Sequence, residues 1–143
     1  MTRSEKELIN EKLLSLQGYY TELKAFKKIT FDEYRGNNLY RRTVERLSQL
    51  IVEVAADINN IILKSLSREP AVDFYSSYKE LAEAGILPKD FAESIAPSTG
   101  LRNIIVQEYQ KLDDRIVYES IQDTLKYYLK YMDIVSRLKS SLC

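Results

Sequence analysis

The sequence predicts an all-α fold, an up-and-down helical bundle of about four long helices with short inserted helices. Three observations carry that reading. Only 4 Gly and 3 Pro interrupt 143 residues, too few breakers for the frequent turns of an all-β chain. Long stretches place apolar residues at three- and four-residue steps, the period of one helical face. No internal repeat, low-complexity tract or long linker divides the chain, so residues 1–143 read as a single domain.

The first helix is expected from about Arg3 to Phe26, with Leu8, Leu13, Leu16, Tyr20 and Leu23 on its apolar side. In the connector ITFDEYRGNN, Thr30 caps a short turn through Asp32 and Glu33, and Gly36-Asn37 ends it. The second helix, about Leu39 to Leu66, carries the broadest stripe: Val44, Leu47, Leu50, Ile51, Val54, Ile58, Ile61 and Ile62. A third covers about Phe74 to Ala84 with Gly85 as its stop, and Pro88 opens a short one over Lys89 to Ile95. Pro97 and Gly100 break the chain before a helix from about Leu101 to Leu112. Asp113-Asp114 then starts the last helix, about Arg115 to Leu142, whose buried side is marked by Ile116, Ile121, Leu125, Tyr128, Met132, Val135 and Leu138.

Composition narrows the function classes. Lys plus Arg and Asp plus Glu both number 21, so net charge does not draw the chain onto nucleic acid or membrane, although Arg41, Arg42 and Arg46 form a local basic cluster. The chain has no histidine. That removes the commonest general acid/base and the commonest transition-metal ligand, and with them HExxH sites, Ser-His-Asp triads and Glu-x-x-His di-iron bundles. No metal site and no cofactor are expected. The one cysteine, Cys143, forms no internal disulfide, which fits a reducing cytoplasm. No apolar run approaches a membrane span of about 20 residues, and the N-terminus MTRSEKELINEK is too charged for a signal peptide.

The segment GLRNIIVQEYQKLDDRIVY, Gly100 to Tyr118, resembles the signature of the HepT-like toxins of the HEPN superfamily. Arg102, Asn103, Tyr109 and the Asp113-Asp114 pair fall in register with it. Two further blocks agree in order. YRRTVERLSQLIVEVAADINNIIL, Tyr40 to Leu63, resembles the family's long second helix, and YKELAEAGILP, Tyr78 to Pro88, its helix–turn connector. Gln107 stands where the motif has histidine, and Ile61 where a second histidine is often found. The resemblance implies a prokaryotic, cytoplasmic, metal-independent endoribonuclease. It also implies a homodimer and a gene beside a small nucleotidyltransferase antitoxin that can modify the motif tyrosine with AMP. Carried over by position, Arg102 binds phosphate or stabilises its charge, Gln107 occupies the imidazole's place, and Tyr109 is the adenylylated residue. Glutamine donates and accepts hydrogen bonds but does not titrate, so the expectation is an attenuated ribonuclease. The alternative is a catalytically silent binding partner or substrate of the nucleotidyltransferase.

Several residues keep two readings. On an unbroken helix Arg102 and Tyr109, seven apart, share one stripe; Asn103, Gln107 and Gln110 share another, and Glu108 falls in the apolar arc. Arg102 is either a cleft residue or a surface ion pair. Asp57 and Asn60 are either bundle contacts or, with Asn103, cleft-lining residues. Tyr118, Tyr127, Tyr128 and Tyr131 crowd the last helix, where packing is the simpler reading than stacking on RNA bases.

Overall fold

Two short sequence signals start the first two helices in the same way. Thr2 accepts from the amide of Glu5 while the Glu5 carboxylate accepts from the amide of Thr2, and Thr30 and Glu33 repeat that reciprocal pair. Each satisfies two amides that a helix start leaves without partners. The computed structural model describes the backbone of residues 1–141 and the side chains of residues 1–138. Leu142, the expected end of the last helix, and Cys143 lie outside the described residues.

In chain order the elements are α1 (Arg3–Lys24), α2 (Phe31–Arg35), α3 (Asn38–Ser65), α4 (Phe74–Glu83), α5 (Lys89–Ile95), α6 (Ser98–Gln107), a single 3₁₀ turn (Tyr109–Lys111) and α7 (Asp114–Ser141). The all-α expectation holds. Asn37 caps α3 and Asp73 caps α4. Asp113 accepts from the amides of Arg115 and Ile116 at the head of α7. Gly85 ends α4 with φ +79°, and the amides of Gly85 and Ile86 close back onto the carbonyls of Ala82 and Leu81. That closure needs a left-handed residue, which glycine supplies without a Cβ penalty.

Cross-helix contacts fix the directions. Lys12 meets Asp57, and Phe26, just past α1, meets Tyr40, so α1 and α3 run antiparallel. Arg102 meets Glu53 and Tyr109 meets Glu45, so the α6 segment is antiparallel to α3. Arg41 meets Asp114 and Asn59 meets Tyr131, so α7 returns parallel to α3. The central element is α3, which packs against α1, α2, α4, α6 and α7. One apolar cluster joins Leu13, Leu16 and Leu23 of α1, Val44, Ile51, Ile58 and Ile62 of α3, Leu81 of α4, Phe91 of α5 and Val117 and Val135 of α7. Each fully buried aliphatic side chain contributes on the order of 1.5–3 kcal/mol.

Four expectations shift. Leu8 is exposed and Ile9 takes its core position; Ile116 is exposed and Val117 replaces it. Both are one-residue offsets, because Ile9 and Val117 sit four residues from the next buried positions, Leu13 and Ile121. The Leu101–Leu112 helix starts earlier, at Ser98, with Pro97 as its cap residue and Gly100 inside it. It also ends earlier: Glu108 leaves helical geometry at φ −138°, ψ 44°. Glu108 is therefore an exposed residue paired with Lys111, not part of an apolar arc.

The crowded tyrosines of α7 are partly structural. Tyr128 and Tyr131 are fully buried beside Tyr78. Tyr131 donates to Asn59 Oδ1 (2.5 Å), Asn59 donates to Ser77 (2.9 Å), and the Tyr128 hydroxyl lies 3.0 Å from that of Tyr78 and 2.7 Å from Ser98 Oγ. Tyr118 donates to the Ile29 carbonyl.

Candidate functional site

The break at Glu108 sets the geometry of the motif. Over an unbroken helix, Arg102 and Tyr109 would follow one line along α6. Instead Arg102 projects from α6 proper, Gln107 is the last residue of that helix, and Tyr109 opens the 3₁₀ turn. The two motif side chains still share one neighbour. Both reach back to acidic residues of α3.

Arg102 is held on three sides. Its Nε and Nη2 both donate to Glu53 Oε2, at 2.9 and 2.8 Å. Its guanidinium carbon lies 4.6 Å from the ring centre of Phe74, and Nη1 donates to Asn103 Oδ1 at 3.3 Å. Gln49 donates to the same oxygen of Glu53 at 3.1 Å. Both partners of the ion pair are mostly covered, with 17% of the Arg102 side chain and 28% of Glu53 exposed. Of the five guanidinium N–H donors, three are engaged in these contacts. The remaining two take no part in these contacts.

Tyr109 presents an exposed ring and a tethered hydroxyl. The residue is 54% exposed. Its hydroxyl donates to Glu45 Oε1 at 2.6 Å, and Glu45 itself is only 6% exposed. A short bond to an ionised acceptor is about twice as strong as a neutral one. That bond pushes the Tyr109 phenol above its ordinary pKa, with partial burial and the Glu45 charge adding to it; Arg42 pulls the other way. Tyr34 of α2 lies in the same electrostatic neighbourhood. Its hydroxyl is buried without a hydrogen-bond partner, and burial pushes its pKa up, reinforced by Glu45 and Asp114. Arg41 pairs with Asp114 and donates to the Arg35 carbonyl and the Asn38 side chain. Arg42 and Arg46 are exposed.

Glu45, Gln49 and Glu53 were missed in the sequence. They stand at four-residue steps on α3 and so form one row, two turns and about 12 Å long. That length suits the span from Arg102 to Tyr109. The spacing E-x-x-x-Q-x-x-x-E on a helix whose other face is apolar was the available signal.

The remaining candidates fall elsewhere on α3 or stay open. Asp57 is exposed and pairs with Lys12 of α1 at 3.2 Å. The Asn60 side chain accepts from the Ala71 amide at 3.1 Å, pinning the loop before α4. Within one chain both side chains are engaged in bundle contacts. Asn103 is exposed and touches Arg102, and Gln107 is exposed at the end of α6, next to exposed Val106. Among the described residues no group of three or more His, Cys, Asp or Glu side chains is placed to hold a metal ion. No helix among them is long and apolar enough to cross a membrane.

Known proteins resemble this chain in sequence and in fold. A family model described as ribonuclease HepT-like matches residues 16–135. A curated relative, the tRNA nuclease HepT of Aphanizomenon flos-aquae, is 36% identical over 132 residues, spanning 92% of this chain and 90% of its own length. Two solved structures share the fold. One is a tri-AMPylated HEPN toxin of Shewanella oneidensis in complex with its MNT antitoxin (TM-score 0.82, 20% identity, 96% of this chain and 99% of that one). The other is a toxin–antitoxin complex with AMP-PNP (TM-score 0.82, 19% identity, 92% and 98%). The resemblance of the Gly100–Tyr118 segment thus extends along nearly the whole bundle, and the chain belongs to the ribonuclease HepT-like family.

Proposed function

We propose that this chain is the toxin subunit of a HEPN/nucleotidyltransferase toxin–antitoxin pair, an RNA-cleaving protein attenuated by Gln107, with Tyr109 as the residue its partner modifies with AMP. The observation that carries the reading is the shared anchoring of Arg102 and Tyr109 on one row of α3, which leaves the guanidinium edge and the phenol ring at the same surface.

Metal-independent cleavage of RNA requires three things. The 2′-hydroxyl loses a proton, the leaving 5′-oxygen gains one, and the phosphate's added charge is stabilised. Arg102 serves the last: it is always ionised, and its planar fork matches phosphate oxygens. Holding it against Glu53 and Phe74 orients the fork in advance. Proton transfer requires a group that titrates near neutral pH, and its loss costs about 100- to 10,000-fold. Gln107 only orients a hydroxyl or a water by hydrogen bonding. The name of the relative makes tRNA the first RNA to assay. Two copies of the chain, meeting near exposed Val106 and Gln107, would bring two Arg102–Gln107 sets to one cleft.

The test is cleavage of tRNA by the purified protein in EDTA. Wild type is expected to cut slowly, Arg102→Ala not at all, and Gln107→His about 100-fold faster than wild type or more. Rapid cleavage by wild type that survives Arg102→Ala would refute the site. If neither wild type nor Gln107→His cuts RNA, while Tyr109 gains the mass of AMP in the presence of the partner enzyme, the silent-partner reading replaces it.

A further inference from the structure

We infer that Glu45 is the catalytic base for modification of Tyr109: the toxin supplies its own proton acceptor for the transfer of a nucleotidyl group onto the phenol oxygen. This rests on the reading of Tyr109 as the modified residue and adds the group that activates it.

The geometry has the parts that an activated nucleophile needs. The hydroxyl that would attack lies 2.6 Å from Glu45 Oε1, within direct proton-transfer reach. The ring that carries it is exposed, so a nucleoside triphosphate held by a second protein can approach the oxygen from solvent. Glu45 is buried at the base of the site and comes from α3, the most extensively packed helix of the bundle, so its position is set by the core. The groups facing this pair are Tyr34 from α2, Arg41 and Arg42 from α3, and Asp114 from α7. The positive charge of Arg42 on the same helix is felt at the Tyr109 hydroxyl and offsets the repulsion between Glu45 and an incoming polyphosphate.

The step balances as follows. The Tyr109 oxygen attacks the α-phosphorus of a nucleoside triphosphate, and a new O–P bond forms. The bond from the α-phosphorus to the bridging oxygen breaks, and pyrophosphate leaves. The phenolic proton passes to the Glu45 carboxylate. The hydrogen bond keeps the phenol protonated in the resting state, so the proton moves only as the O–P bond forms.

The attack at phosphorus can be measured without a partner enzyme, using a fluorophosphonate probe on the full chain and mass spectrometry of the labelled peptides. Tyr109 forms the O–P bond, fluoride leaves and the proton goes to Glu45. Tyr75, 41% exposed, is the internal reference. At pH 7 the expected rate at Tyr109 is at least about tenfold higher in wild type than in Glu45→Gln, with Tyr75 unchanged. Glutamine keeps the shape and an acceptor oxygen, so exposure alone does not move. In wild type from pH 6 to 9 the Tyr109 rate relative to Tyr75 is expected to fall, because an untethered phenol gains from solution base as pH rises while Tyr109 carries its proton acceptor beside it. This second readout needs no variant. Parallel pH profiles for the two tyrosines, or a Glu45→Gln variant that reacts as fast as or faster than wild type, would overturn the assignment. Failure of the underlying reading is distinguishable: Tyr109 would label normally yet gain no AMP from ATP and the partner nucleotidyltransferase.

Discussion

Two regions of this bundle use the same chemical pair, a tyrosine hydroxyl and a polar side chain of α3, and reach opposite results. In the interior, Tyr131 donates to Asn59 at 2.5 Å, and both are fully buried. At the flank, Tyr109 donates to Glu45 at 2.6 Å from an exposed ring. The acceptors differ as their surroundings demand. A neutral amide is tolerated in the sealed core, where an unpaired carboxylate would be expensive to bury. A carboxylate at the flank accepts from a phenol whose ring is open to solvent. The first pair ties α7 to α3 inside the core, and the second tethers an exposed phenol to α3.

That contrast can be tested from its largest effect downward. On a Gln107→His background, Arg102→Ala is expected to remove the gained RNA cleavage, a loss of about 100-fold or more, while a urea melt shifts by about 1–3 kcal/mol and leaves the protein folded in buffer. If unfolding accounts for the lost activity, the flank is structural like the interior. Asn59→Ala removes the amide that links Tyr131 to Ser77, leaving the Tyr131 hydroxyl on the Ala55 carbonyl and Ser77 on the Phe74 carbonyl; the two lost hydrogen bonds are expected to destabilise by about 2 kcal/mol in the same melt. Tyr131→Phe leaves one orphaned acceptor and is expected to destabilise by about 1–2 kcal/mol. Tyr109→Phe keeps the solvated ring but takes the hydrogen bond from the buried Glu45 side chain, and is expected to destabilise by about 1 kcal/mol.

Alkaline titration probes the interior phenols. Burial raises the pKa of Tyr78, Tyr128 and Tyr131. These phenols ionise more readily in the unfolded chain, near pH 10. Their contribution to stability is therefore complete below that value and is lost as pH rises from there toward the folded-state pKa values. Thermal melts should fall in temperature above about pH 10, and Tyr131→Phe should fall less steeply than wild type.

Much of the fold was legible because helix periodicity and caps are local. Thr30, Gly85 and Asp113 each act within a few residues of themselves, and the structure uses each as its type suggests. The boundaries of α6 were not legible. Pro97 fits a helix start as well as a break, and nothing local to Glu108 announces its departure from helical geometry. Arg102, Gln107 and Tyr109 were visible as a spaced motif. Their anchors were not, since Glu53 lies 49 residues from Arg102 and Glu45 lies 64 residues from Tyr109. A residue's acid character is visible in sequence, but the partner it meets across the bundle is decided by packing.

The most direct test of the account is the pH–rate profile of tRNA cleavage at single turnover in EDTA, for wild type and Gln107→His. The account predicts a slow wild type with no inflection near neutrality, and a faster Gln107→His variant with one inflection near pH 6.5, the titration of an unperturbed imidazole. A wild-type enzyme already showing that inflection, at a rate the histidine does not improve, would contradict it.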